Sequence, residues 1–314
     1  MSVLKILVSG ANGFVGRALC PVLRGQGHAV REAVRAGEGD NVVAVGDIHG
    51  KTDWSEALKG VDVVVHLAGR AHVLREHGPA LDVFRRVNLE GTENLARQAA
   101  AHGARRLVFV SSIKVNGEET YGRAFTENDP PHPEDPYGIS KWEAEQTLAE
   151  ISAATSLEAT ILRPPLVHGP GVKGNLLRLL EAVHQNRTFP LGAVQNRRSL
   201  LGLDNLCAAL DICVRHPKTG TYLIADDEAV SSPDLVRVLA KAMGRQARML
   251  SVPLPFMELA AKVLKRRSEF RRLTGSLEVN AVRIQEELGW TPIKRLDQGL
   301  EEMALWYMRS QDPD

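Results

Sequence analysis

The chain has 314 residues, of which 44% are hydrophobic and 25% are charged, a composition typical of a globular protein and unlike a disordered or fibrous chain. Lys and Arg number 39 against 38 Asp and Glu, so the net charge of +1 offers no basis for general nucleic-acid binding. The first apolar run begins at Val3 and leads directly into a glycine-rich turn, which argues against a removable signal segment. No apolar run reaches the length of a membrane-spanning helix. We therefore expect a cytoplasmic protein without an integral membrane segment.

The three cysteines lie in apolar stretches of helical character and lack the spacing of a metal site or a redox pair. We expect buried, reduced thiols at Cys20, Cys207 and Cys213, and no bound metal.

The first half of the chain alternates short β-branched runs with longer segments of helical period, a pattern that predicts a parallel sheet wrapped by helices. The predicted strands are Val3 to Ser9, Ala29 to Val34, Val42 to Val45, Asp62 to Leu67, Arg106 to Ser111 and Ala159 to Leu162.

One helix is predicted between the fourth and fifth strands, because mostly apolar residues recur there at three- and four-residue steps and so share one face. That face consists of Leu81, Phe84, Asn88, Gly91, Leu95 and Ala99. Asn88 is polar on an apolar stripe, and we interpret it as a structural hydrogen-bonding residue.

Proline and glycine in "RPPLVHGPGVKGN" mark the point where the chain leaves the sheet. We predict a dinucleotide-binding domain at 1–165, to which 203–226 returns, and a smaller substrate-binding part formed by 166–202 and 227–314. The fold class is thus α/β: a Rossmann-type doubly wound parallel sheet with a smaller mixed α/β C-terminal part.

The stretch from Leu254 to Arg272 combines an apolar face with five basic residues. It suits either a membrane surface or an anionic ligand, although such a run is most often a solvated helix face.

The sequence "VSGANGFVG" sets Gly10, Gly13 and Gly16 between the first strand and a helix. Such a turn brings backbone close to a pyrophosphate and directs helix N-terminal amides at its charge. A glycine triplet alone is often only a turn, but its position after a strand and before a helix indicates a dinucleotide site.

The end of the second strand bears on the choice of cofactor, because a carboxylate there accepts from ribose hydroxyls and an arginine pairs with a 2′-phosphate. Arg35 follows Val34, so NAD(P)(H) is expected with a preference for NADP. Arg35 is equally compatible with a solvent-facing loop charge, and Glu32, Glu38 or Asp40 would weaken the preference.

"YGISK" sets Tyr137 and Lys141 on one face of a helix, about 6 Å apart at Cβ. A phenol, with a pKa of about 10, needs a nearby cation to exchange protons at neutral pH, and Lys141 supplies one. Ser111 and Ser112 end a strand at the sheet edge where parallel sheets bind ligands. A serine hydroxyl there could hydrogen-bond a substrate oxygen.

These motifs together resemble the extended short-chain dehydrogenases/reductases of the sugar-nucleotide epimerase, dehydratase and reductase group. The resemblance spans nearly the whole chain and includes "GDI", "DVVVHLAG", "NLEGTENL", "SSIKVNG", "YGISK", "RPPLVHGPG", "RRSLLGLDNL" and "ELGWTP".

The resemblance implies a catalytic set in which Tyr137 is the acid/base, Lys141 holds Tyr137 and the ribose, and Ser112 holds the substrate oxygen. Ser112 is preferred to Ser111 because it stands three residues before Val115, as the catalytic Ser or Thr of the group does. Asn175 and Arg198 would contact the nucleotide diphosphate of the substrate. The implied cofactor-binding residues are Gly10, Asn12, Gly13, Phe14, Val15, Gly16, Arg35, Asp47, Ile48, Leu67, Ala68, Gly69, Lys141 and Pro164.

Two departures from the group replace tyrosines, by Asn116 and by His168. Dehydratases of the group have an Asp and a Glu after the catalytic Thr, whereas Ile113 and Lys114 follow Ser112 here, which argues against 4,6-dehydration.

The motifs are most similar to reductases of UDP-linked 4-keto-6-deoxy-N-acetylhexosamines, which act in cell-surface polysaccharide synthesis. We expect reduction of the sugar C4 ketone by such an enzyme. UDP-sugar 4-epimerisation is the closest alternative, and a non-catalytic dinucleotide-binding sensor is a third. The resemblance also implies a homodimer.

Overall fold

A computed structural model describes residues 3–71 and 80–311. Its strands are β1 Lys5–Ser9, β2 Ala29–Val34, β3 Val42–Ala44, β4 Val63–His66, β5 Arg106–Val110, β6 Glu158–Arg163, β7 Leu166–His168, β8 Thr188–Phe189, β9 Arg198–Gly202, β10 Gly220–Leu223, β11 Ala229–Val230 and β12 Arg248–Met249. Its helices are α1 Phe14–Gly25, α2 Ser55–Leu58, α3 Ala80–Asn88, α4 Glu90–Ala101, α5 Pro136–Ala154, α6 Gly174–His184, α7 Leu203–Arg215, α8 Ser232–Ala242, α9 Leu254–Val263, α10 Arg267–Thr274, α11 Val282–Leu288 and α12 Leu296–Gln311.

Seven strands form one sheet in the order β10-β6-β5-β4-β1-β2-β3, and every neighbouring pair is parallel. Runs such as Val63–His66 are buried along their whole length, as strands covered on both faces must be. The strand order reverses beside β1, between β2 and β4. Open α/β sheets bind ligands outside the carboxyl ends of the strands at such a point.

Two separate cores cover the two faces of this sheet. On one face, Leu19 of α1 and Leu206 of α7 pack with Val8 and Val65. On the other face, the core residues come from α4, α5 and the alternate strand positions: Leu95, Leu148, Leu7, Val64 and Phe109. The predicted α/β fold with a doubly wound parallel sheet is thereby confirmed.

A third core lies in the second half of the chain, where α6, α8 and α12 pack together around Leu180, Leu239 and Met303. Next to it, a three-stranded sheet has the order β11-β9-β7, and β8 pairs with β12. Within the segment where the chain was predicted to leave the large sheet, Leu166–His168 form β7, a strand that the sequence did not indicate and that pairs with β9. The strand is too short for its apolar pattern to distinguish it from a loop.

The single helix predicted between β4 and β5 is wrong in one respect: α3 and α4 are separated at Leu89, whose φ is −95° and ψ −68°. At this point the Thr92 hydroxyl donates to the carbonyl of Asn88 at 2.7 Å. The predicted face nevertheless turns inward, since Phe84, Asn88 and Leu95 are buried.

No helix within the described ranges has both the length and the apolar character that crossing a bilayer requires. In the same ranges, no cluster of three or more His, Cys, Asp or Glu side chains could hold a metal ion. The three cysteines are buried and free.

Candidate active site

The glycine turn lies at the carboxyl end of β1, where the strand order reverses. Gly10 has a positive φ of 71°, and a Cβ built there would lie 2.9 Å from the backbone nitrogen of Ala68. A Cβ on Gly16 would lie 2.4 Å from the carbonyl oxygen of Gly10. Gly13 is the N-cap of α1 and donates its N–H to Gly10 at 2.9 Å. The turn is therefore tight enough to exclude side chains at Gly10 and Gly16, and α1 begins directly after it.

The remaining residues of this predicted cofactor edge follow the turn and β4. Phe14 and Val15 begin α1, and Asn12 is exposed while its carbonyl accepts from Arg17 Nε at 2.9 Å. Leu67, Ala68 and Gly69 continue from the end of β4. Pro164 follows β6 and is buried, and its carbonyl accepts from the N–H of Ile113 at 3.0 Å.

Tyr137 and Lys141 lie in the first two turns of α5, on the face predicted from their spacing. Asp135 caps this helix, since its Oδ1 accepts from the N–H of Gly138 at 2.7 Å. Phe84 of α3 packs edge-on against the Tyr137 ring with centroids 6.0 Å apart. Burial raises the pKa of Tyr137 to about 12, and interaction with Ser112 acts in the opposite direction.

Lys141 is buried, and its Nζ lies 4.0 Å from the centroid of the Phe109 ring. Burial lowers the pKa of this ammonium group to about 7, while the charge of Glu145 opposes the shift. No carboxylate of residues 3–71 or 80–311 forms a salt bridge with it. A Cβ on Gly69 would lie 3.7 Å from Nζ. The ammonium group is thus directed at the glycine end of β4, where a ligand could supply acceptors.

The two candidate serines differ in their surroundings. The Ser111 hydroxyl is buried and donates to Glu145, which also binds Arg163 in a buried ion pair. Ser112 is half-buried, begins the 3₁₀ turn Ile113–Val115, and interacts with Tyr137. The Ser111 hydroxyl is therefore occupied by a buried hydrogen bond to Glu145, whereas Ser112 lies beside the phenol of Tyr137.

Arg35 and Asp47, both predicted to contact the cofactor, pair with each other: Nε of Arg35 lies 2.8 Å from Oδ1 of Asp47. Their side chains are 79% and 75% exposed at the ends of β2 and β3. Ile48, the next residue, packs against α4 at Gly91, where a Cβ would lie 2.5 Å from Ile48 Cγ2. Arg35 therefore stands at the cofactor edge of the sheet with a carboxylate partner that the sequence did not indicate.

The predicted diphosphate contacts lie in the C-terminal part. Asn175 is exposed in the first turn of α6, and its side chain accepts from Arg178. Arg198 begins β9 and donates to the carbonyl of Gly275 at 2.9 Å. Burial lowers the pKa of Arg198, and the nearby charges of Glu118 and Glu119 oppose the shift.

The two departures from the tyrosine pattern have structural explanations. Asn116 accepts from Arg163 Nη1 at 3.0 Å and donates to the carbonyl of Thr126 at 3.2 Å. His168 is buried, with Nε2 at 2.9 Å from Asp226. Neither residue lies in the catalytic set.

Asn88 uses both sides of its amide in hydrogen bonds. It accepts from the N–H of Arg70 at 2.8 Å, and its Nδ2 lies 3.0 Å from both the Arg70 carbonyl and the Ser140 hydroxyl. These bonds tie the segment after β4 to α5, as expected of a structural residue.

Sequence reasoning missed two groups beside the site. His66 ends β4 and is buried between the hydroxyls of Ser9, at 2.6 Å, and Thr92, at 3.0 Å. Lys114 forms ion pairs with Glu118, at 2.6 Å, and with Asp135. The signals were a histidine in an otherwise apolar strand and a lysine two residues after Ser112.

The model of the NAD dependent epimerase/dehydratase family matches residues 6–225. UDP-glucose 4-epimerase of Vibrio cholerae is 39% identical over 98% of this chain and 97% of its own length. The 2-alkyl-3-oxoalkanoate reductase of Stenotrophomonas maltophilia is 31% identical over 77% of this chain and 76% of its own. The solved structure of MoeE5 in complex with UDP-glucose and NAD has a TM-score of 0.80 and 25% identity, and the match covers 98% of this chain and 100% of MoeE5. The chain belongs to the NAD dependent epimerase/dehydratase family and has the extended short-chain dehydrogenase/reductase fold.

Proposed function

We propose that this protein is a nicotinamide-dependent 4-epimerase of UDP-linked hexoses. The observation that carries the proposal is that Ser112 interacts with Tyr137 while Lys141, one helical turn further along α5, directs its Nζ towards Gly69. It is supported by the match to the Vibrio cholerae 4-epimerase, which extends over almost all of both chains. MoeE5, with 25% identity, binds both UDP-glucose and NAD.

The residues around the turn fit a dinucleotide. Gly10 and Gly16 leave no room for side chains at the start of α1, so a pyrophosphate can reach the backbone amides. Lys141 presents a buried ammonium group without a salt-bridge partner among the described residues, and ribose hydroxyls would supply its missing acceptors. A nicotinamide bound there would supply reversible hydride transfer at the sugar C4.

The protein's own groups handle the proton of the same step. Tyr137 takes the proton from the O4 hydroxyl as C4 is oxidised and returns it as C4 is reduced. Lys141 favours the phenolate by its charge, which matters because burial raises the pKa of Tyr137 to about 12. Ser112 donates a hydrogen bond to O4 as it becomes a carbonyl oxygen. For inversion, the keto-sugar presents its other face before reduction.

The residues after Ser112 do not suit dehydration. Ile113 is buried, and Lys114 is held by two carboxylates. A 4,6-dehydratase needs a carboxylic acid and a carboxylate at these positions to remove water. This argues for chemistry confined to C4.

Net reduction at C4 is the second candidate, and the similarity to the Stenotrophomonas maltophilia reductase favours it. In this reaction Tyr137 would give its proton to O4, and a reduced nicotinamide would supply the hydride and be consumed stoichiometrically. The substrate would be the UDP-linked 4-keto-6-deoxy-N-acetylhexosamine that we expected from the motifs. Both candidates use the same three side chains.

Product analysis separates the two reactions. UDP-glucose and UDP-N-acetylglucosamine are incubated with the NAD-loaded protein and no reductant, and the sugars are separated by chromatography. Conversion to the C4 epimers supports the epimerase. Stoichiometric loss of reduced-nicotinamide absorbance with the 4-keto sugar, without epimerisation, supports the reductase.

Tyr137→Phe should lower either rate about 10²- to 10⁴-fold, whereas Tyr121→Phe, a change at an exposed tyrosine, should not. Normal turnover by Tyr137→Phe would contradict the acid/base role of Tyr137, and absence of both reactions in the wild-type protein would leave the non-catalytic sensor.

We also propose that Arg35 sets the cofactor preference. An arginine at the end of β2 can pair with the 2′-phosphate of NADP, and here it would have to leave Asp47 or bind between the two partners. Asp47→Asn should tighten NADPH binding, and Arg35→Ser should weaken NADPH binding without affecting NADH. Equal effects of Arg35→Ser on both cofactors would show that the arginine is only a loop charge.

The wider setting stays a prediction. A role in surface polysaccharide synthesis and a homodimer are implied by the family resemblance, and a cytoplasmic location is the expectation drawn from the apolar runs of the sequence. Contacts of Asn175 and Arg198 with the UDP diphosphate belong to the same set. The domain boundaries at 165, 203 and 226 are also predictions.

A further inference from the structure

Helix α9 exposes a stripe of large apolar side chains. Phe256, Leu259 and Val263 follow one another at three- and four-residue steps, so they share one face of the helix. Their exposed fractions are 67%, 58% and 73%, and Leu264, next in the chain, is 66% exposed. Contiguous exposed apolar residues on a folded protein mark an interaction site more often than singly scattered ones do.

The opposite face of α9 packs against the rest of the protein. Met257 packs against the third core, and Ala261 is buried. The outward stripe is therefore not needed to attach the helix to the protein. An ordinary surface helix would have polar residues there.

Basic residues border the stripe at one end. Lys262 lies in the last turn of α9, and Lys265, Arg266 and Arg267 follow directly. Arg266 lies 3.6 Å from Glu269, the nearest acidic partner in the sequence. Because the whole chain has a net charge of only +1, this concentration of positive charge is local.

We propose that α9 and the following basic turn dock on an anionic lipid bilayer. The apolar stripe would enter the boundary between headgroups and acyl chains, and the four basic side chains would contact the anionic headgroups. A second copy of the chain fits less well, because a two-fold contact through this surface would bring the two basic turns towards each other.

The docked surface borders the proposed site. Helix α10 packs on α9, and its Arg271 pairs with Glu119 and with Glu134, the residue before the α5 cap. The charge of Arg272 acts on Asp135 and Arg198. Docking would therefore hold the Tyr137 end of α5 near the membrane, so the protein would work on substrates delivered at that surface.

Vesicle binding tests the proposal with the full-length protein. We expect it to sediment with vesicles of phosphatidylcholine and phosphatidylglycerol, weakly with phosphatidylcholine alone, and less at high salt. The variant Phe256→Ser/Leu259→Ser/Val263→Ser should lower binding more than about tenfold, as should Lys262→Glu/Lys265→Glu/Arg266→Glu. The matched control Val282→Ser/Ile293→Ser/Leu305→Ser changes exposed apolar residues elsewhere, at 47%, 69% and 38%, and should bind normally.

Failure of the wild-type protein to bind anionic vesicles, or equal losses in the control, would overturn the proposal. A stripe variant that turned a dimer into a monomer in sedimentation velocity, with no vesicle binding by the wild type, would assign the stripe to a contact between copies. Turnover of water-soluble UDP-sugars should be unchanged in the stripe variant. Loss of vesicle binding with retained turnover therefore tests docking separately from the proposed catalysis.

Discussion

The ammonium group of Lys114 pairs with Asp135, and the same carboxylate caps the helix that carries Tyr137. Burial opposes ionisation of Asp135, but hydrogen bonds from Lys114 and Gly138 lower its pKa. Because Lys114 stands two residues after Ser112, this pair connects the two sides of the catalytic set. It acts as a clamp between the 3₁₀ turn and α5.

Removing the clamp should affect turnover more than substrate binding. Lys114→Met leaves Tyr137 in place but frees the helix cap, so we expect kcat to fall about tenfold with little change in KM. Lys114→Arg should restore most of the rate, because it keeps the charge. Steady-state kinetics are compared with Lys59→Met, which removes the exposed pair with Glu56. A lower melting temperature with unchanged kcat would mean that the clamp is merely structural.

The two serines should separate catalysis from stability. Ser112→Ala removes the donor beside Tyr137, and kcat should fall about a hundredfold at unchanged stability. Ser111→Ala leaves Glu145 without one buried hydrogen bond, so the free energy of unfolding should fall by about 1–3 kcal/mol. Kinetics and urea denaturation of both variants check this. The reverse pattern would show that Ser111 is the catalytic serine.

The glycine turn should not tolerate a single methyl group. A Cβ on Gly16 would lie 2.4 Å from one carbonyl oxygen and 2.5 Å from another, so Gly16→Ala should abolish detectable dinucleotide binding. Gly25→Ala is the matched control, because a Cβ on Gly25 would have no neighbouring atom within 4 Å. It should bind normally and gain up to about 1 kcal/mol of stability. Calorimetric titration with NADH measures both, and normal binding by Gly16→Ala would contradict the predicted site.

His66 should make the stability depend on pH. Burial, helped by the charge of Lys141, lowers its pKa from 6.5 to about 3 in the folded protein. Between pH values of about 3 and 6.5 the unfolded chain therefore binds more protons than the folded protein does. The contribution of His66 to stability is complete above a pH of about 6.5 and falls as the pH drops towards about 3. The contribution is about 1.4 kcal/mol per pH unit. Urea denaturation at several pH values should show a smaller slope for His66→Gln than for the wild type, and an equal slope would refute the assignment.

The sheet and the placement of Tyr137 and Lys141 on one helix were predictable because their signals are local. Strands such as Ala29–Val34 have the bounds that the β-branched runs predicted, and the spacing of Tyr137 and Lys141 is a property of one helix. The preference for Ser112 rested on family resemblance. The structure adds a contact that is consistent with this preference: the Ser111 hydroxyl donates to Glu145, 34 residues away in the sequence.

The features that sequence reasoning missed depend on contacts between distant segments. Glu145 of α5 and Arg163 of β6 are only 2% and 5% exposed, because their side chains neutralise each other. Arg35 indicated a phosphate partner, but its partnership with Asp47 arises only once β3 lies beside β2. The break at Leu89 follows from a local bond between Thr92 and Asn88 that no periodicity reveals.

The small sheet draws strands from both sides of β10 in the chain: β7 and β9 precede it, and β11 follows it. A recombination event with one crossover could not exchange this sheet between two relatives without also replacing the edge strand of the large sheet. Exchange of the small sheet with the large sheet left intact would need three crossovers, one before β7 and one on each side of α7 and β10. New substrate preferences in this lineage should therefore arise by point substitution in place more readily than by exchange of whole segments.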